Sequence, residues 1–180
     1  MPTYLHERFR LSLANAGFSS MFWHYMPAFF GVLVGGRVSD HFARNPPRFR
    51  LEMQAAGLLL ATPFLFWLGA TSELAATYFA VGVFGFFRGF YDSNIYASLF
   101  EVIEPKFHAS ATGAMTAFAF VLGSLAPVVL GAIKQKVGLS VGFSGLALVY
   151  LAAGALLCGA IVMFFQKDCV KSTGVTTCSD

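Results

Sequence analysis

The chain has 180 residues, of which 57% are hydrophobic and 12% charged, with mean hydropathy +0.67 and net charge +3. A soluble domain carries about 25% charged residues, so this composition excludes an ordinary soluble enzyme. It also excludes a nucleic-acid partner, because the basic residues sit in short loops rather than on one basic face.

Residues 1–14, MPTYLHERFRLSLA, lack a continuous apolar run and do not read as a cleavable signal peptide. They read as an extracytoplasmic arm, and Ser12 or Asn15 can cap the helix that follows. A helix needs about 20 mostly apolar residues to cross a bilayer. Five segments meet that length: 15–38, 51–70, 74–100, 110–133 and 141–165, together a five-helix domain over 15–165. The expected class is all-α, a polytopic membrane helix bundle. The second, fourth and fifth spans are nearly free of charge, the first holds His24 and Pro27, and the third carries Arg88 and Asp92. A polar tail, 166–180, follows.

The joints are short, so sequential helices should run antiparallel. The first, RVSDHFARNPPRFR, is the most basic, and Pro46 and Pro47 stop any helix through it. Positive charge favours the cytoplasmic side. That joint inside groups Arg37, Arg44, Arg48, Arg50, Lys106, Lys167 and Lys171 against Arg8, Arg10, Lys134 and Lys136 outside. The C-terminus is then cytoplasmic, in a multi-pass protein of the cell membrane.

Arg88 and Asp92 lie about one turn apart on one face of the third span, near its middle. A charge at that depth costs roughly 2.5–3.5 kcal/mol on insertion scales, so such groups face a cavity or each other. The pair reads as a solute or coupling site, Arg88 holding an anionic or hydroxyl-rich solute and Asp92 pairing with it or carrying a proton. The alternative is an ion pair that only stabilises the bundle. Tyr91 falls on a neighbouring part of that face and Asn94 on a different one. His24, between Trp23 and Tyr25, reads as a cavity ligand, a proton carrier or a packing residue. Gly31/Gly35 and Gly85/Gly89 have the small-xxx-small spacing of close helix contacts. Pro27, Pro63 and Pro127 are sites for helix bends.

No metalloprotease, nucleophile-elbow or phosphate-loop motif is present, so no enzyme, cofactor or metal is expected. Cys158, Cys169 and Cys178 show neither CxxC spacing nor a neighbouring His cluster. Cys158, in an apolar run, reads as a packing residue.

Several segments in order resemble the major facilitator superfamily (MFS) of transporters. MPTYLHERFRLSLANAGF is similar to the outer connection after its seventh helix. GGRVSDHFAR is similar to the signature after its second and eighth helices, with Gly36, Asp40 and Arg44 in place, His41 where a basic residue is usual, and Ala43 where Gly is usual. EVIEPKFHASATGAM is similar to the connection between the tenth and eleventh helices, with Glu101, Pro105 and Gly113 matching and His108 where Arg is common. LGSLAPVVLGAI is similar to the eleventh helix.

The resemblance implies a partial transporter fold: helices eight to twelve with the outer end of the seventh, a C-terminal half lacking its N-terminal partner. It implies alternating access in the lipid bilayer, coupled to protons or another ion, with a small polar solute (an organic anion or sugar acid) as cargo. The superfamily's tenth helix lines the central cavity, which supports Arg88 and Asp92, with Tyr91 beside them, at the solute or coupling site; His24 stays a candidate there on its own chemistry. The resemblance makes Gly36, Asp40 and Arg44 a conformational gate, with Glu101 or Glu104 meeting an arginine of that loop. The competing reading is a polytopic membrane protein without transport, an assembly subunit or an intramembrane enzyme.

Overall fold

The computed structural model describes residues 1–42, 49–137 and 139–165. Its elements are α1 (Pro2–Phe9), α2 (Leu13–Phe42), α3 (Phe49–Ala70), α4 (Leu74–Val102), a 3₁₀ turn (Pro105–Phe107), α5 (His108–Val137) and α6 (Leu139–Ala160). A π-helical turn, Ile161–Phe165, continues α6. No strand occurs among the described residues. Arg44, Arg48, Cys169, Cys178 and the tail 166–180 lie outside them.

Local chemistry sets the helix ends. Pro2 stands in the first turn of α1, where a missing N–H costs nothing, and Arg10 closes that helix at φ 53, ψ 30. The arm is therefore a short helix and a turn. Ser12 rather than Asn15 caps α2, its hydroxyl accepting the Asn15 N–H at 3.3 Å. Thr71 Oγ1 accepts the Glu73 N–H at 3.3 Å, just before α4 starts. The chain turns extended at Ile103, and Pro105 opens the 3₁₀ turn that leads into α5. Pro27, Pro63 and Pro127 all sit inside assigned helices.

α4 is the central element. It packs along α2 on one side and α3 on the other, and α3 packs along α6. Glycine makes the α2–α4 contact. A Cβ on Gly31 would run into the Phe86 backbone, and one on Gly89 would stand 2.6 Å from Val32 N and 2.7 Å from Ala28 O. Gly57 brings α3 as close to α4, with Phe87 O 2.7 Å from its would-be Cβ. In lipid there is no hydrophobic drive between helices, so such backbone approach, with its dispersion contacts, carries association. The apolar core lies between α3, α4 and α6, around Leu65, Leu68, Val81, Phe84 and Ala147.

α1 crosses one end of the bundle. Tyr4 donates its hydroxyl to Leu68 O at 3.3 Å and rests edge-on against Phe143, with ring centroids 5.1 Å apart. Arg8 donates to Ser72 Oγ at 2.6 Å. At the opposite end the His108 ring stacks on Phe100 at 4.3 Å, with Nε2 2.9 Å from Ile103 O, which holds the α4–α5 corner.

Among the described residues, four stretches are long and apolar enough to cross a membrane: Phe49–Ala70, Leu74–Val102, Pro105–Ala132 and Val141–Met163. α2 matches the remaining expected span in length, at 30 residues, but Trp23, His24, Tyr25 and Arg37 dilute its apolarity. α5 buries no described residue; Phe118, Phe120 and Val128 are all at least two-thirds exposed. A helix apolar all round and uncovered by its own chain belongs in lipid or against another helix layer. Cys158 is exposed on α6, so it does not pack inside as its apolar run implied.

The glycine seam makes a direct prediction. Gly89→Leu should reduce monodisperse, folded protein in detergent several-fold, since its side chain meets backbone that cannot yield. Gly113→Ala, with nothing within 4 Å of its would-be Cβ, should leave the amount unchanged. Size-exclusion chromatography of the two variants checks this.

Candidate functional site

Arg88 is the middle residue of the 29-residue α4 and stands just before Gly89 on the seam with α2. Gly85, one turn earlier, lets α4 approach His24, whose Nδ1 would lie 3.2 Å from a Cβ there. The seam thus brings an imidazole of α2 and a guanidinium of α4 to one cavity. Arg88 Nε stands 3.4 Å from Asp92 Oδ2, a loose pair along the helix with both side chains a little over 40% exposed. Among the described residues Arg88 has no other ion pair.

The cavity measures about 320 Å³ and occupies the half of the bundle nearer α1. Arg88 and His24 line it with Tyr25 and Tyr150, and Phe84 forms part of the wall. Met1 and Pro2 border it at the α1 end. His24 stacks on Phe84 with ring centroids 5.6 Å apart, and Tyr150 leans on the same ring at 5.4 Å. His24 is therefore both a packing residue and a cavity residue. Asp92 holds Arg88 from outside the cavity wall.

Tyr91 does not join this cavity. It lines a separate groove of about 970 Å³ between α3, α4 and α5, with Gln54 and Ser98. Three residues turn a helix by about 300°, a net offset of about 60°, and here that offset carries Tyr91 from the His24 cavity to the α5 side. Asn94 faces elsewhere, as its spacing implies, and is fully buried. Its amide donates to Phe90 O and Ser93 Oγ, each at 3.0 Å. Gln54 donates to Asn94 O at 3.2 Å and to Ser98 Oγ at 2.5 Å. Hydrogen bonds between membrane helices contribute about 0.6 kcal/mol on average. This α3–α4 polar cluster escaped the sequence reading, although a lone glutamine in an apolar span was its signal.

A second cluster lies at the end away from α1. Arg50, in the first turn of α3, donates from a terminal nitrogen to Asp40 Oδ1 of α2 at 2.9 Å. Its Nε is 2.8 Å from Glu101 Oε1 of α4, an ion pair whose angle falls short of a hydrogen bond. One guanidinium thus ties three helices together. Asp40 and Glu101 were readable from sequence; Arg50 was visible only as one of several loop charges. Glu104 pairs instead with Lys106 at 2.6 Å, both exposed, because the Pro105 turn keeps the two side by side. Gly36 makes no close approach: nothing lies within 4 Å of its would-be Cβ, whereas Gly35 abuts Phe90 and Ser93. Arg44 lies outside the described residues.

Residues 1–127 match the family model of the Major Facilitator Superfamily. The chain belongs to this superfamily. No curated protein and no solved structure matches it. Superfamily members are membrane transporters, which accords with the apolar helices and makes this a multi-pass membrane protein. No three His, Cys, Asp or Glu side chains come together to hold a metal ion among the described residues.

The Arg50 cluster can be tested by a double-mutant cycle. Arg50→Gln should lower the melting temperature in detergent more than Asp40→Asn, because Asp40 is 69% exposed and exposed pairs contribute only about 0–1 kcal/mol. Glu101→Gln should add little once Arg50 is removed, since the pair is already broken.

Proposed function

We propose that the chain is the C-terminal half of an MFS secondary transporter, moving a small organic anion across the membrane by alternating access. The observation that carries this reading is the Arg88–Asp92 pair at the middle of α4, with Arg88 lining the His24 cavity. An ionisable pair at mid-depth is costly, and one retained beside a cavity marks a candidate solute or ion path. α2 is proposed to cross the membrane with the four more apolar helices, since the glycine seam holds it along α4. α2–α6 then correspond to helices eight to twelve, and α1 to the outer end of the seventh. The apolar faces left uncovered on α2 and α5 would meet lipid or an N-terminal six-helix half.

Electrostatics favours proton coupling. Arg88 and Asp92 together are neutral, so an incoming carboxylate adds one negative charge in a low-dielectric site. A proton taken up on Asp92 or His24 restores neutrality, whereas an unaccompanied anion pays the cost of a buried unpaired charge. The Asp40–Arg50–Glu101 cluster joins three helix ends and is proposed to hold one side closed in one conformation and open as the helices separate. The basic joint between α2 and α3 supports a cell-membrane orientation with the C-terminus in the cytoplasm.

The test is uptake by proteoliposomes holding the chain reassembled with an N-terminal half. Arg88→Gln and Asp92→Asn should each reduce organic-anion uptake at least tenfold at an unchanged folded amount. Asp92→Asn should also abolish stimulation by an inward proton gradient. Full uptake by the 180 residues alone would reject the half-transporter assignment. Unchanged uptake in both variants would remove the pair from the solute path.

A further inference from the structure

Resting on the anion-transport reading, we infer that the cargo is a monocarboxylate with an aromatic or branched apolar body, not a sugar acid. The cavity wall carries the argument. Beyond Arg88 its polar side chains are Ser20, His24, Tyr25 and Tyr150, and Ser20 already donates to Gly17 O at 2.9 Å. The remainder of the wall is largely apolar, from Leu65 and Leu68 of α3 through Val81 and Phe84 of α4 to Phe143 and Leu146 of α6.

Such a wall has too few donors and acceptors for a polyhydroxylated body. Each hydroxyl moved from water into this cavity without a partner is penalised, which selects against sugars and sugar acids. An apolar ring or branched chain loses nothing on the same transfer and gains contact with Phe84 and Phe143.

The polarity runs along one axis. Val81 and Arg88 are seven residues apart on α4, about 10 Å along the helix. A carboxylate at Arg88 therefore directs its body past Phe84 toward Val81 and the α1 end. Asp92 occupies only the Nε side of the guanidinium, and its terminal nitrogens have no other ion pair among the described residues. They offer the paired N–H donors that a carboxylate accepts. One proton taken up on Asp92 or His24 balances one solute carboxylate, which sets the charge at one. The volume, about 320 Å³, stands at the lower end of the roughly 300–1,000 Å³ usual for ligand sites, so the solute is small.

The test is equilibrium binding, with radiolabelled benzoate as the probe, to the chain reassembled in detergent with an N-terminal half. Unlabelled benzoate and 3-methylbutanoate should displace it. Gluconate, which keeps the charge on a hydroxylated body, and benzyl alcohol, which keeps the body without the charge, should each compete at least tenfold more weakly. Arg88→Lys should weaken benzoate several-fold, because an ammonium cannot reproduce the planar fork. Gluconate competing as well as benzoate, with Arg88→Lys weakening both, would overturn the apolar class and leave the anion site standing. Benzyl alcohol competing as well as benzoate, with Arg88→Lys unchanged, would overturn the anion site itself. Absence of saturable benzoate binding to a chain that melts cooperatively overturns the class assignment. Proteoliposome uptake of gluconate then decides separately whether the transport reading survives.

Discussion

Backbone meets backbone where α2 crosses α4, and the arrangement of polar groups follows from that contact. Gly31 and Gly35 on one helix and Gly85 and Gly89 on the other let the axes approach until side chains larger than hydrogen would collide. In water such a seam would be one contributor among many, because burial of apolar surface would dominate. In lipid the tails are as apolar as leucine, and close packing with interhelical hydrogen bonds carries association. Once the seam is closed, Gly85 sets α4 against His24, and Arg88, next to Gly89, borders the same cavity.

The Arg88 and Arg50 clusters differ in what their surroundings ask of them. At mid-depth the Arg88–Asp92 pair is loose, at 3.4 Å, and it is bordered by a cavity. A guanidinium with donors to spare beside an open volume is suited to exchange one partner for another. At the end of the bundle Arg50 contacts two carboxylates from two other helices at 2.8 and 2.9 Å. That grouping is suited to holding helix ends together, and to releasing them when the carboxylates separate. Under the proposed alternating access, binding near the middle and closure at the end are the two elements required, and α4 would contribute to both through Arg88 and Glu101. In that proposal a tilt of this one helix would move the two sites together.

α3 reaches α4 differently. Gly57 permits one close approach, and Gln54 adds hydrogen bonds to Asn94 and Ser98 in the same interface. α5 has neither device. It touches α4 and α6 sparsely and leaves a groove of about 970 Å³ beside Tyr91. The contrast shows at the glycines: a Cβ on Gly113, Gly123 or Gly131 of α5 would meet nothing within 4 Å, so these glycines serve no seam within the described chain. α5 is the helix with most surface free for lipid or another layer.

Composition and period alone determined that the chain is a bundle of lipid-length helices, because solvent preference is summed over about 20 residues and tolerates local error. They also placed the helix ends near their proline and polar joints, singled out Arg88 and Asp92 as a pair, and marked the glycine spacings, since these depend only on the 3.6-residue repeat. Tertiary structure alone decided which partners meet across helices. It put His24 into the Arg88 cavity and Tyr91 out of it, gave Glu101 to Arg50 and Glu104 to Lys106, and joined Gln54 to Asn94 and Ser98. Those outcomes turn on helix rotation and crossing. A rotation of some 60° about a helix axis, invisible to hydropathy, redirects a side chain from one neighbour to the next.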